Sequence, residues 1–145
     1  MLSARDTLAA VRERGRLMQR EAEKHPGAMA AVIGLKPDKL AGLLGFLTDA
    51  GPFALANFNT PEQTVVSGTP ELVAKAAELV KAAGGRAVPL KVSGAWHSPL
   101  MAGATRDFSD FLAGCTFNPP RIPIYLNATA QPEDDPERIR EAMSR

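Results

Sequence analysis

The stretch AWHSPLM, residues 95–101, places one of the chain's two histidines between a tryptophan and the start of a helix. Ser98 is a good N-cap, Pro99 suits the first helical position, and Leu100, Ala104, Phe108, Phe111 and Leu112 recur at helical spacing. His97 therefore lies just before a helix N-terminus. The partial positive charge of that terminus disfavours imidazolium, which leaves the ring able to accept a proton. A general base needs that property. The same position also suits a histidine that only hydrogen-bonds a neighbouring carbonyl, so the motif has to be weighed with the elements that would hold it.

Those elements belong to a chain of 145 residues, the length of one ordinary domain, with 45% hydrophobic and 23% charged residues. The formal charge of +1 comes from 17 basic and 16 acidic residues interspersed along the sequence. No basic stripe attracts phosphates or anionic lipid, so nucleic acid and membrane surfaces are not expected partners. A single cysteine, Cys115, excludes an internal disulfide, suits a reducing compartment, and at the end of an apolar helical stripe reads as buried packing. Cys and His have no useful metal spacing, so no metal is expected. With no charged leader and no long apolar run, the chain reads as cytoplasmic.

Residues 4–23 read as a helix with the stripe Leu8, Val11, Gly15 and Met18. GAMAAVIGL, residues 27–35, reads as a buried strand, and Pro37 opens a helix that runs to Gly51 with Leu40, Leu43, Leu44 and Leu47 inward. PFALANFN (52–59) and QTVVSG (63–68) are strand-like and joined by a hairpin-length TPE. Thr69 and Pro70 start a further helix, with Leu72, Ala76, Leu79, Val80 and Ala83 facing inward, that Gly84 and Gly85 stop. RAVPLKV (86–92) is a last strand, interrupted by Pro89 and hence an edge.

The order β-α-β-β-α-β predicts an α+β fold with a ferredoxin-like split βαβ unit over residues 27–93. Residues 1–26 and 94–145 do not belong to it. The latter hold the helix after His97, IPIYLN (122–127) as a buried strand, QPEDDPE as a polar loop, and a final helix from Pro136 capped by Asp135. Lone amphipathic helices and one unpaired strand cannot bury their apolar faces well by themselves. These arms are therefore expected to drive self-association.

Five blocks carry a family resemblance: RGRLMQ (14–19), GAMAAVIGL (27–35), ANFNTPEQTVVSG (56–68), LKVSGAWHSPLM (90–101) and IPIYLNATA (122–130). In order and approximate spacing they resemble the malonyl-CoA:acyl-carrier-protein transacylase family. The resemblance implies a ferredoxin-like domain inserted in an α/β-hydrolase-like large domain, of which this chain carries an incomplete part, with the active site in the cleft between the two. It implies ping-pong transfer of malonyl from malonyl-CoA to acyl carrier protein in fatty-acid or polyketide synthesis. Coenzyme A enters as substrate thioester, and no other cofactor is implied. His97 matches the family's catalytic histidine and Arg14 the arginine that grips the malonyl carboxylate. A guanidinium fork recognises a planar carboxylate through two parallel hydrogen bonds, which lysine cannot reproduce. Asn57, Asn59 and Gln63 match cleft-lining positions, although Asn also suits ordinary turns. Trp96 stands where malonyl-selective relatives usually carry phenylalanine, and its bulk leaves little room for an α-methyl branch.

The departure from the family is its Gly-His-Ser-x-Gly elbow, which this sequence lacks. Ser3 and Ser144 are terminal, Ser67 and Ser93 end strands, Ser98 is a helix cap and Ser109 is in mid-helix. The glutamine of the family's oxyanion hole and its Gln-x-x-x-Pro-Val segment are likewise missing, and MLSARDTL resembles an interior stretch just after the elbow. The expectation is a fragment without transacylase activity on its own. A different class of function is a stand-alone ferredoxin-like small-molecule-binding module. Its RNA-binding version is weak, because only Phe53 and Phe58 lie on the expected sheet and no basic cluster accompanies them. Thermal stabilisation by malonyl-CoA favours the enzyme; stabilisation by a free amino acid favours the sensor.

Overall fold

A continuous apolar run, buried from Met29 to Val32, makes Ala28–Ile33 (β1) one of the two inner strands of a four-stranded antiparallel sheet. In the computed structural model, which describes residues 1–126 and 129–144, the chain forms two compact units, Gln19–Ala102 and Met1–Met18 together with the residues from Gly103 onward. The boundary between them falls inside the first helix, Ala4–Lys24 (α1).

The Gln19–Ala102 unit continues from β1 through α2 (Pro37–Leu44), α3 (Leu47–Ala50), β2 (Phe53–Thr60), β3 (Gln63–Gly68), α4 (Pro70–Ala82) and β4 (Arg86–Pro89). The sheet order is β2-β3-β1-β4, with every pair antiparallel. The strands and helices expected for residues 27–92 are present in the expected order, so the chain is α+β. Paired residues of an antiparallel ladder share a face. Ala30 opposite Val66 and Val32 opposite Thr64 therefore point one way, toward Leu40 and Leu44 of α2 and Val73, Ala76 and Val80 of α4. Each fully buried Leu or Val in this cluster contributes roughly 1.5–3 kcal/mol relative to an exposed one.

Local signals explain the ends of α4. The Thr69 hydroxyl accepts from the Leu72 amide at 3.4 Å, and Pro70 follows at the first position. At the other end Gly84 has φ 86°, its amide donates to the Lys81 carbonyl, and the Gly85 amide donates to Val80. This is a Schellman stop, and it requires a residue at ease in the left-handed region. The helix expected from Pro37 to Gly51 is instead broken after Leu44. There the Thr48 amide and hydroxyl both take the Gly45 carbonyl and the Asp49 amide takes that of Phe46, a tightening to i→i+3 bonds. The last strand is shorter than the expected 86–92. It ends at Pro89, which cannot donate to a ladder, and after it the Leu90 amide reaches β1 at the Met29 carbonyl.

The other unit holds the first part of α1, α5 (Ala102–Ala113, entered through a 3-10 turn at Pro99–Met101), β5 (Ile124–Tyr125), β6 (Pro132–Glu133) and α6 (Pro136–Met143). Ala10, Leu17, Ala104, Phe108 and Leu112 form its core, with the Phe108 and Phe111 rings stacked at 6.2 Å. Asp135 caps α6 by accepting from Glu137 and Arg138 amides at 2.8 and 3.2 Å, as its sequence predicts.

Three expectations fail here. The α1 stripe is wrong by one register: Leu8 is 73% and Val11 66% exposed, whereas Ala10 and Leu17 are buried. Ala10 is small, so hydrophobicity alone hid the inward face. IPIYLN is not a buried strand. Ile122 is 76% and Tyr125 72% exposed, and β5 is a two-residue strand paired with β6, which falls within the expected polar loop. Asn127, the end of that expected strand, lies outside the described residues. Cys115 is only half-buried, its thiol donating to the Phe111 carbonyl at 3.5 Å.

Candidate active site

Glycine dictates where the His97 loop can sit. A Cβ on Gly27, just before β1, would overlap the Cβ of Ala95 and come within 3.1 Å of the Gly68 carbonyl. Ala95 is 0% exposed as a result of this close seating. A Cβ on Gly94 would meet Ala22 of α1 at 2.9 Å and the ring of Trp96 at 2.9–3.0 Å, so the indole folds back over the Gly94 backbone. Trp96 is half-buried there.

From that base the chain turns at Trp96 and His97. The Ser98 amide donates to the Ala95 carbonyl at 3.3 Å and the Ser98 hydroxyl to the same oxygen at 2.7 Å. His97 takes the third turn position with φ 59°, a left-handed conformation that is uncommon for any residue with a Cβ. Its side chain is exposed and has no hydrogen-bond or ion-pair partner among the described residues. Ser98 then accepts from the Leu100 amide at 3.3 Å and starts the Pro99–Met101 turn that leads into α5. The sequence placed His97 ahead of a helix N-terminus, and the structure agrees; the strained backbone was not legible.

Asn57 and Gln63 come to share one sheet face through a device that the sequence did not announce. Counting back from Phe53 opposite Gly68, an unbroken β2 would set Asn57 opposite Thr64, on the face covered by α2 and α4. The register shifts between Leu55 and Asn57, so Asn57 pairs with Val65 and joins the other sheet face, with Gln63. This bulge re-aims a side chain, as bulges beside functional sites commonly do. A second shift between Phe58 and Thr60 leaves Asn59 in the bulge opposite Gln63. Among the described residues none of these three amides has a side-chain hydrogen bond, so local turn satisfaction does not account for them. Gln63 lies opposite Ile33 at the far end of β1 from Ala28 and the Gly27 seat of the histidine loop, about 17 Å along the strand at the usual rise.

Arg14 belongs to the other unit. It follows Ala10 by four and precedes Leu17 by three, which aligns it with the buried stripe of α1 rather than with the expected one. Its neighbours Arg16 and Arg20 are paired with Glu13 and Glu21. Arg14 has no such partner among the described residues and lines a pocket of about 290 Å³ with Thr7, Ala10, Val11, Phe108 and Met143. A guanidinium at the wall of a mostly apolar hollow suits a carboxylate on a small organic group.

A family model described as acyl transferase domain matches residues 1–144. The chain belongs to the acyl transferase domain family. This family member is 36% identical over 144 residues to malonyl CoA-acyl carrier protein transacylase of Bacillus subtilis, covering 98% of the chain and 45% of that relative. Among solved structures it is similar to an acyl carrier protein S-malonyltransferase from Vibrio cholerae, with 35% identity, a TM-score of 0.90, and coverage of 99% and 47%. It is similar also to a structure of a type II PKS acyl-carrier protein in complex with its malonyl-transacylase, with 34% identity, a TM-score of 0.88, and coverage of 97% and 46%. The chain therefore spans about half the length of the relatives it matches. Among the described residues no helix is long and apolar enough to cross a membrane, and no group of three His, Cys, Asp or Glu is placed to hold a metal.

Residues that sequence reasoning missed are those that shape the loop: Gly27, Gly94 and Ala95. Their signal was the GAM and SGAW stretches themselves, where small residues recur beside a tryptophan.

Proposed function

We propose that this acyl transferase chain carries the base and the carboxylate-binding arginine of a cytoplasmic malonyl-CoA:acyl-carrier-protein transacylase acting in fatty-acid or polyketide synthesis. Residues 27–93 are its ferredoxin-like small domain, and residues 1–26 and 94–145 belong to its α/β-hydrolase-like large domain. The strand order β2-β3-β1-β4 with α2 and α4 on one face supports that reading of the small domain. The observation that carries the function is His97: an unpartnered imidazole at the outside of a strained, doubly hydrogen-bonded turn.

In this reading a serine hydroxyl attacks the malonyl thioester carbonyl while His97 takes its proton. Collapse of the tetrahedral intermediate breaks the C–S bond, and the imidazolium returns the proton to the departing coenzyme A sulfur. The carrier protein's thiol then attacks the acyl-serine, its proton passing through His97 back to the serine oxygen. Arg14 holds the malonyl carboxylate, Asn57, Asn59 and Gln63 line the substrate cleft, and the Trp96 ring narrows the acyl site against α-branched substrates. Coenzyme A enters as the substrate thioester and leaves as the free thiol, and these steps call on no further cofactor.

The nucleophile is supplied from outside these residues. Ser67 is 0% exposed, Ser3, Ser98 and Ser144 are tied into helix ends, Ser109 is inside α5, and Ser93 sits in an exposed bend without a following helix. The 145-residue chain alone is therefore inactive, and its exposed apolar arms favour self-association. Radiolabelled malonyl-CoA incubated with the chain and acyl carrier protein leaves the carrier unlabelled, whereas addition of a serine-bearing family segment allows label to transfer. Label transferred by the chain alone overturns the inactivity, and label that survives His97→Ala overturns the base assignment.

A further inference from the structure

Resting on the reading of His97 as the base, the geometry points to Ser98 as the positioning residue that holds this histidine in its working conformation. The left-handed backbone at His97, with φ 59°, is one that an L residue leaves unless its surroundings impose another outcome. Two hydrogen bonds close the turn around it, and both come from Ser98. Its amide reaches the Ala95 carbonyl at 3.3 Å, a long bond, and its hydroxyl reaches the same oxygen at 2.7 Å, a short one. The hydroxyl is also the acceptor for the Leu100 amide at 3.3 Å, so one oxygen ties the turn to the start of the following helix.

Both feet of the turn are fixed. Ala95 is 0% exposed and seated against Gly27, and Ser98 is 8% exposed. Only Trp96 and His97 lie between them. With the feet fixed, the freedom that remains is rotation of the peptide planes at the apex. The Ser98 hydroxyl opposes that rotation by anchoring the carbonyl at one foot to the residue at the other. Without it, the single long amide bond holds the turn, and His97 can pass to a negative φ that redirects its Cβ and ring. The Ser98 hydroxyl is buried and already engaged by the Ala95 carbonyl and the Leu100 amide. It acts through the backbone of its neighbour.

Nuclear magnetic resonance of the 145-residue chain tests this directly, because a positive φ brings an amide proton close to its own Hα and gives a strong intraresidue NOE. The chain's two histidines also give separable ring signals. In the parent chain His97 shows the strong NOE and one sharp ring signal. Ser98→Ala reduces the NOE to the level of its neighbours and broadens or displaces the His97 ring signal, with the His25 signal unmoved. Ser98→Thr, which keeps the hydroxyl, restores the parent pattern, whereas Ser98→Val, its near-isostere without the hydroxyl, behaves as alanine does. Circular dichroism confirms that each variant compared is folded. An unchanged His97 NOE and ring signal in folded Ser98→Ala and Ser98→Val overturns the proposal, whatever those variants do to thermal stability. The readout is backbone conformation, so it stands or falls separately from the labelling experiment that tests the catalytic assignment.

Discussion

Gly27 and Ala95 approach so closely that an added Cβ on Gly27 would lie 2.4 Å from the Ala95 methyl carbon. The first residue before β1 thus sets the seat of the loop that carries His97. Gly27→Ala is expected to destabilise the chain by about 1–3 kcal/mol, the usual cost of forcing an extra methyl into a packed contact. Urea unfolding measures it. The displaced seat also shifts the His97 ring signal more than that of His25, and an equal shift of both would show that the two features are not linked.

The α1 helix separates a packing residue from the proposed carboxylate-binding one three positions away. Leu17 is 1% exposed within the core of its unit, whereas Arg14 is exposed and unpaired among the described residues. Leu17→Ala is expected to cost about 2–5 kcal/mol of stability. Arg14→Ala leaves the urea midpoint close to that of the parent but removes malonyl transfer when a serine-bearing segment is supplied. Arg14→Lys recovers little of it, because an ammonium cannot make the paired hydrogen bonds of the guanidinium fork. Recovery of most activity in Arg14→Lys would reduce Arg14 to a plain positive charge.

What the sequence made legible follows from the nature of each signal. Caps and stops announced themselves: Thr69, Asp135 and Ser98 all cap where their side-chain chemistry predicts, and Gly84 and Gly85 end α4. Strong β-branched runs revealed β1 and β3. The inward face of α1 was misread because its contacts are made by Ala10, too small to stand out, while Leu8 and Val11 face outward. The bulge that re-aims Asn57 left no trace, since a period-two pattern cannot register one inserted residue without the partner strand in view. The proposed site residues His97, Arg14 and Asn57 were singled out from residue type and spacing, but the left-handed turn at His97, closed by the Ser98 hydrogen bonds, and the tight seat at Gly27 leave no pattern in the sequence. Length was the weak point for IPIYLN: an apolar hexapeptide suffices for a buried strand only when a neighbouring strand is long enough to pair with it, and β6 has two residues.

The hydroxyl of Thr64 is buried beside Val32 on the helix-covered sheet face, at 0% exposure and without a hydrogen-bond partner among the described residues. A desolvated hydroxyl with no partner costs free energy, and valine fills nearly the same space without it. Thr64→Val is expected to stabilise the chain by about 1 kcal/mol, read as a higher urea midpoint at unchanged denaturant slope. A lower midpoint would reveal that the hydroxyl has a partner in solution.

Cys115 provides a chemical readout of the smaller unit's packing. Burial pushes its thiol above the ordinary cysteine range, and the carboxylate of Asp6 adds to the effect by disfavouring the thiolate. The thiolate is the reactive form, so a raised pKa lowers the reactive fraction at any pH below it. Iodoacetamide is therefore expected to alkylate Cys115 in the folded chain more slowly than in the urea-unfolded chain at pH 8, with the difference narrowing as pH rises through the folded-state value. Asp6→Asn removes the electrostatic part and speeds the folded-state reaction modestly, leaving the larger effect of burial in place. Equal rates in folded and unfolded chains would mean that the turn after α5 leaves the thiol in water.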